Sequence, residues 1–370
     1  MYSKKNLFNE ETSCGETMIL FNTYFVEYIF YAYATWSSIG VTLNMFNIIV
    51  FTRKSMISPN NLIYAHLAFV DLASIIAYVP RAWQELVRQR MYCFKEHRVY
   101  EWEIASFCSL FTVAILHQIS TWITILLAIW RYIAIAHPLK EREWCNMKNT
   151  KIFIIAAYAV GFLAALPHVF EVHVAAIDTL LDSDGYPTSN RTIGVLTKVY
   201  KIHLWEISKT SGFLAAIFYG IVSRIAAVIV LSVYTYKLIA ALKCRQRLTS
   251  SMYGSNATIT SKKPSTDRTT KILLIIVALC YTCEIPHAIC FLVSAIYGIK
   301  FIDGCYVYLF GIFTLLVGIC ISLNFVVYYA MSRQFRNTFH ALFSCESSSA
   351  REKPVLTRIQ RITTITSTHL

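Results

Sequence analysis

Long apolar stretches, each closed by a short polar segment, recur seven times along the chain. They cover residues 28–51, 62–83, 104–132, 151–173, 212–242, 271–297 and 304–331. Each is long enough to carry a helix across the roughly 30 Å hydrocarbon core of a bilayer. The pattern predicts an all-α membrane protein, a seven-transmembrane helix bundle. Pro80, Pro167 and Pro286 fall inside these stretches, which a bundle tolerates because neighbouring groups satisfy the backbone that proline frees. After the seventh stretch, residues 332–344 (SRQFRNTFHALFS) place Phe335, Phe339, Leu342 and Phe343 at helical spacing among two arginines. That spacing predicts a short amphipathic helix lying on the membrane surface. The expected organisation is an outer N-terminal segment (1–27), the bundle (28–331), the surface helix (332–344) and a Ser/Thr-rich tail (345–370), expected to be disordered. No apolar signal region follows the basic start of the chain, so the first span is expected to serve as the insertion signal.

Composition agrees. The 370 residues are 56% hydrophobic and 15% charged, against about a quarter charged in soluble domains. The net charge of +13 does not indicate nucleic acid, because the charges lie in short links between apolar runs. Their distribution sets the orientation. The links after spans one, three and five and the tail together hold 20 basic and 5 acidic residues; the rest of the chain holds 14 basic and 16 acidic. The positive-inside rule then places the C-terminus in the cytoplasm and the N-terminus outside, as in a multi-pass protein of the plasma membrane. Asn190-Arg191-Thr192, in the long link after span four, is an N-glycosylation acceptor on the expected outer side. Cys345, at the end of the surface helix, is a candidate for palmitoylation or an inert thiol.

Charges inside the apolar runs narrow the search for function. Asp71, Arg224 and Glu284 interrupt spans two, five and six. An ion at mid-membrane costs about 2.5–3.5 kcal/mol on insertion scales, so each is expected to face the bundle interior, a partner or water. Arg224 and Glu284 sit on consecutive spans at similar depth and are expected to pair. Two other readings of Glu284 stay open: it holds a ligand arginine, or it is a protonated, hydrogen-bonded core acid. His287 follows Glu284 by three residues on the same helix face, and His117 and Trp122 lie on span three; each is a candidate for lining a pocket, with plain helix packing as the competing reading. No His/Cys cluster has metal-ligand spacing, and there is no P-loop, HExxH or GxSxG. No metal, cofactor or enzymatic activity is expected. The absence of an inverted repeat and of a ring of pore charges argues against a channel or transporter.

Span three ends in WRYIAIAHPLK. Its Arg131, followed by Tyr132 and then Pro138, resembles the D-R-Y segment of rhodopsin-like G-protein-coupled receptors. LAFVD at 67–71 resembles that family's second-helix L-A-x-x-D, Asn44 (with Asn47 competing) its first-helix asparagine, Pro286 its sixth-helix proline, and NFVVY at 324–328 its N-P-x-x-Y. Trp130 in the acidic place, Glu284 in CEIPHAI and Phe325 in the proline place resemble the FMRFamide/myosuppressin-type neuropeptide receptors, in particular their nematode branch, the serpentine receptor class W-like proteins. The resemblance implies an extracellular amidated peptide ligand and a heterotrimeric G protein, with arrestin as a further partner of the tail. It also implies a coupling surface from Arg131, Tyr132, Pro138, Asn324 and Tyr328, and a sodium-linked type of aspartate at Asp71 with Asn44 and Ser120 as neighbours. Trp83, Gln84 and Thr314 join the candidate pocket on the same ground. Two departures stand out. The link from 168 to 211 has no cysteine, so the family's usual bridge from the third helix cannot form, and the pairing of Cys14, Cys93, Cys108 and Cys305 stays open. Span five lacks its usual proline, with Ala226 near its place. A receptor for a small environmental molecule is the alternative function.

Overall fold

The computed structural model describes residues 15–90, 100–167, 172–181, 188, 194–204, 224–252, 265–297 and 307–343. Asn190, Cys14, Cys93, Cys305, Cys345 and the Ser/Thr-rich tail lie outside the described residues. The helices are α1 (Gly15–Phe51), α2 (Pro59–Arg90), α3 (Tyr100–Ala136), α4 (Pro138–Trp144), α5 (Met147–Ala165), α6 (Arg224–Met252), α7 (Ser265–Tyr297), α8 (Val307–Met331) and α9 (Arg333–Phe343); the strands are β1 (Val172–Leu181) and β2 (Val195–Leu204). Seven of the helices, α1–α3 and α5–α8, are long and apolar enough to cross a membrane. The seven-span bundle and the short helix after it are as the hydropathy pattern predicts.

Three boundaries differ from expectation, each for a local reason. The fourth span stops at Ala165 rather than reaching His173. Leu166 keeps helical geometry, but proline at 167 has no N–H to continue the helical ladder, and His173 instead sits in β1, paired with His203. The first helix starts at Gly15, within the segment expected to precede the bundle, although its membrane-length portion is Tyr28–Phe51. Between spans three and four the chain makes the extra helix α4, opened by Pro138 at its first turn, where a missing N–H costs nothing. The residues 212–223 expected at the start of span five lie outside the described residues.

Burial follows the logic of lipid as solvent. Val70, Ile123, Leu127, Leu231, Leu273 and Tyr328 form part of one buried cluster between the helices. Ile155, Leu163, Ile229 and Phe69 are exposed at 69, 61, 56 and 55%, an apolar exterior that a water-soluble protein avoids and hydrocarbon accepts. Small residues set the closest approaches, as in other membrane bundles. A Cβ on Gly161 of α5 would come within 2.7–2.8 Å of Ile119 in α3, and one on Gly40 of α1 within 2.6 Å of the Ser322 hydroxyl in α8.

Two devices close the ends. The hairpin β1–β2 is antiparallel, with Asp178 opposite Lys198 and Ile177 opposite Val199. Val199 and Leu181 are buried while Leu196 and Lys198 are exposed, so one face of the pleat lies on the protein and the other on solvent. The hairpin meets α3, where the Tyr200 ring packs edge-on against Tyr100 at 5.3 Å. Noncovalent packing therefore holds the hairpin at a place where cysteine is absent from its sequence. At the opposite end, α9 docks through Phe335, which is fully buried. Phe325, in the proline place of the seventh span, stacks on Tyr329 at 5.9 Å and meets Phe335, Phe339 and Phe46 at 5.7, 5.5 and 6.3 Å. Arg336 donates to the carbonyls of Tyr329 and Ala330 at 2.8 and 2.7 Å, capping groups that the end of α8 leaves open. The amphipathic helix is thus joined to the bundle by an aromatic cluster.

Gly161→Val is expected to force α3 and α5 apart and to cost about 1–3 kcal/mol of stability, the range for overpacking a close contact. A thermal melt of the detergent-solubilised protein would read this as a lower Tm, and an unchanged Tm would contradict the tight contact.

Candidate functional site

Glu284 with Arg224, and Asp71, form two polar groups whose partners line a shared cavity of about 50 Å³. Glu284 of α7 is the centre of the first group and is 2% exposed. Its Oε2 accepts from Arg224 Nη1 of α6 at 3.1 Å. Its Oε1 accepts from Thr121 Oγ1 of α3 at 2.8 Å and lies 2.8 Å from His117 Nε2, one turn earlier on α3. The expected Arg224–Glu284 pair is therefore present, and it extends to a third helix. His117 and Thr121 are four residues apart, so the helical repeat places both on one face of α3 toward the same carboxylate. Glu284 lies two residues before Pro286, inside the long helix α7.

A carboxylate offers about four acceptor positions, and three contacts from the protein already converge on Glu284. This geometry supports the interhelical pair over a free carboxylate awaiting a ligand arginine. It also shows how the bundle tolerates a full charge: charge-assisted hydrogen bonds return part of the desolvation cost. His287, one turn beyond Glu284, is buried against the Phe313 ring at 4.7 Å and hydrogen-bonds the Cys283 carbonyl at 3.2 Å.

Asp71 of α2 is the centre of the second group and is 1% exposed. Ser120 Oγ donates to its Oδ1 at 2.8 Å and Asn324 Nδ2 to its Oδ2 at 3.0 Å, which links α2, α3 and α8. Ser120 was expected there. Asn44 is not bonded to Asp71: its Nδ2 donates to the Gly40 carbonyl at 3.0 Å, and Asn47 Nδ2 donates to its Oδ1 at 3.4 Å. The two candidate asparagines of the first helix are thus both buried and hydrogen-bonded to each other. Asp71, Ser120 and Asn324 line one part of the cavity, and His117 and Thr121 line another. Ser120 and Thr121 are adjacent in sequence, so α3 is the element through which the two groups meet.

The remaining candidates are more dispersed. Trp83 stands in the C-terminal part of α2 and is 58% exposed, outside the packed interior, and the side chain of Gln84 lies outside the described residues. Trp122 packs against the main core, with its indole N–H buried and without a hydrogen-bond partner. Thr314 lies on α8, next to Phe313. Of the expected pocket set, His117, Glu284 and His287 are the ones drawn close together.

At the α9 end, Arg131 is half-buried with its Nε lacking a partner. Its neighbour Trp130 does not face it. The indole donates to Thr150 Oγ1 of α5 at 3.1 Å and packs against Phe153 at 5.0 Å. Trp130 thus holds α3 to α5, and the acidic partner familiar from the D-R-Y segment has no substitute at this residue. Tyr132 reaches Tyr234 of α6 and His137 at 6.2 and 5.8 Å, and Pro138 is exposed on α4. Tyr328 is buried against Phe51, Tyr64 and Phe335. Cys145, between α4 and α5, has its thiol pushed up to about 11 by burial, with Glu141 adding to the effect and Arg131 opposing it; it stays protonated at neutral pH. Cys108, alone among the four outer cysteines in being described, carries an exposed free thiol. Among the described residues no group of His, Cys, Asp and Glu is arranged to hold a metal ion.

If Glu284 holds three helices together, Glu284→Gln leaves Arg224 buried without its counter-charge and is expected to cost about 3–5 kcal/mol. The double exchange Arg224→Glu with Glu284→Arg is expected to recover part of the folded protein that either single reversal loses. Surface expression and thermal melts of the four proteins check this; a double variant no better than the worse single one would remove the pair from its central role.

The chain is similar to known receptors along most of its length. The chain is 27% identical to the sex peptide receptor of Drosophila melanogaster over 326 residues, covering 82% of this chain and 70% of that protein. It is 25% identical to sex peptide receptor-related protein 2 of Caenorhabditis elegans over 323 residues, 81% of this chain and 68% of that protein. It is 24% identical to the thyrotropin-releasing hormone receptor of Gallus gallus over 322 residues, 83% and 76% of the two chains. The family described as serpentine type 7TM GPCR chemoreceptor Srw matches residues 30–346, the whole bundle and the helix that follows it, and the chain belongs to that family of G-protein-coupled receptors.

Proposed function

We propose that the protein is a cell-surface receptor for an amidated neuropeptide of the FMRFamide-like or myosuppressin-like class, which it couples to a heterotrimeric G protein. The observation that carries this reading is that relatives similar over four-fifths of the chain include receptors named for sex peptide and for thyrotropin-releasing hormone. The peptide enters at the hairpin end of the bundle, which the charge distribution makes the outer end. A ligand transmits a signal only by favouring one helix arrangement over another. The contacts that differ between arrangements are those that join separate helices. Glu284 joins α3, α6 and α7, and Asp71 joins α2, α3 and α8, so a ligand that shifts α7 at Glu284 disturbs both groups through α3. The output is outward movement of α7 at the α9 end, where Arg131, Tyr132, Pro138 and Tyr328 meet the G protein. The Ser/Thr-rich tail, once phosphorylated, offers arrestin a charged partner. Lipid contacts α9, and acylation of Cys345 would anchor its end.

A second reading has its own support. The family description contains the word chemoreceptor, and a small environmental molecule would use the same interior groups.

A library of amidated peptides applied to cells that express the protein with a promiscuous G protein separates the two readings. A peptide agonist is expected; response only to small molecules would favour the second reading. With an agonist in hand, Arg131→Ala is expected to abolish nucleotide exchange on the G protein while peptide binding persists; retained exchange would remove Arg131 from the coupling surface. An epitope at the C-terminus is expected to be reachable by antibody only after the cells are permeabilised, and labelling of intact cells would reverse the proposed orientation.

A further inference from the structure

Three thiols meet at the cavity shared by the two polar groups. Cys280 and Cys283 lie three residues apart on α7, so both fall on the face that borders the cavity, and Cys320 borders it from α8. All three are free. The Cys283 and Cys320 side chains are buried and border the same small cavity from α7 and α8, two helices packed against each other. A single buried cysteine is read most simply as a small hydrophobe. Two buried thiols that border one cavity from different helices, where small polar molecules are admitted, are a different arrangement.

The geometry points to Cys283 and Cys320 as an oxidation site, a dithiol that a small hydroperoxide converts into a disulfide linking α7 to α8. The inference is independent of the ligand class. The cavity volume exceeds the roughly 10–15 Å³ that one water needs, and hydrogen peroxide is only slightly larger than water. Asp71, Ser120 and Asn324 line the same cavity and make it polar enough to receive peroxide. In the first step one sulfur attacks a peroxide oxygen. The O–O bond breaks, and the departing hydroxide leaves as water with the thiol proton, giving a sulfenic acid. In the second step the other sulfur attacks the sulfenic sulfur. The S–S bond forms, the S–O bond breaks, and a second water leaves with the remaining thiol proton. Two thiols lose two electrons in total, and one peroxide gains them. Both thiols border one small cavity, which keeps the second nucleophile near the first, so disulfide formation competes with further oxidation to sulfinic acid.

The bridge would fall one residue before Glu284 and three before Pro286. It would therefore restrain α7 against α8 at the level of the interior carboxylate, where the proposed signalling movement passes.

The test uses the full-length protein in membranes. The membranes are treated with hydrogen peroxide, the protein is denatured, free thiols are alkylated, and peptides are mapped without reduction. The expected result is the loss of two alkylatable thiols and a linked peptide pair joining the Cys283 segment to the Cys320 segment, with both thiols restored by dithiothreitol. Because Cys280 shares a segment with Cys283, variants separate them: the link persists in Cys280→Ser and is lost in Cys283→Ser. Full alkylation of Cys283 and Cys320 after peroxide, sulfinic acid without a link, or a link that survives Cys283→Ser would each overturn the inference.

Discussion

A full negative charge in the middle of an oily bundle is the constraint around which the interior is arranged. Glu284 cannot be left bare in a medium that hydrates no ions, and the sequence supplies its partners from separate helices. Arg224 comes from α6, and His117 and Thr121 come from α3. No one of these contacts is local in sequence; the nearest partner in the chain, Arg224, is sixty residues away. The carboxylate therefore acts as a fastener for tertiary structure. The hydrophobic effect gives helices no reason to associate in lipid, so close packing and interhelical hydrogen bonds must do so. A few polar contacts of this kind specify which helices meet and at what depth.

The Asp71 group repeats the arrangement from the neighbouring residue of α3, and the two share that helix. This sharing gives α3 a central place that its length alone does not explain. It carries Ser120 and Thr121 toward the two carboxylates, Trp130 toward Thr150 of α5, Tyr100 toward the hairpin and Arg131 toward the α9 end. A rotation or small slide of α3 alters several of these contacts together. Packed interfaces tend to exchange between discrete arrangements instead of deforming smoothly. A switching element with contacts at every depth suits a protein that must connect its two faces.

The sequence made most of the fold legible, because hydropathy over a bilayer thickness is a coarse signal that seven clean stretches satisfy easily. It also showed which ions had to find partners, since a charge in such a stretch is conspicuous. The Arg224–Glu284 pair was readable in this way; Ser120 beside Asp71 came from the family resemblance, which also placed Asn44 there, where the structure does not. What it could not show was identity among equals. Thr121 and Thr150 look like any hydroxyl in a membrane helix, and only the three-dimensional crossing of α3 with α7 and α5 selects them. His117 was visible as a candidate, but its distance from Glu284 was not. The hairpin escaped notice for another reason: its alternation is interrupted by paired alanines and leucines, and Pro167 looked like a tolerated interruption when it is the end of a helix. Trp130 was read through its sequence neighbour Arg131, yet adjacent residues on a helix point about 100° apart, and its partner lies on α5.

The missing cysteine in the hairpin has a mechanical consequence. A covalent bridge would make the hairpin's attachment to α3 depend on redox conditions; the Tyr100–Tyr200 contact and the buried face of the hairpin do not. The hold of the hairpin on α3 is one of packing, which reducing agents leave untouched and heat weakens.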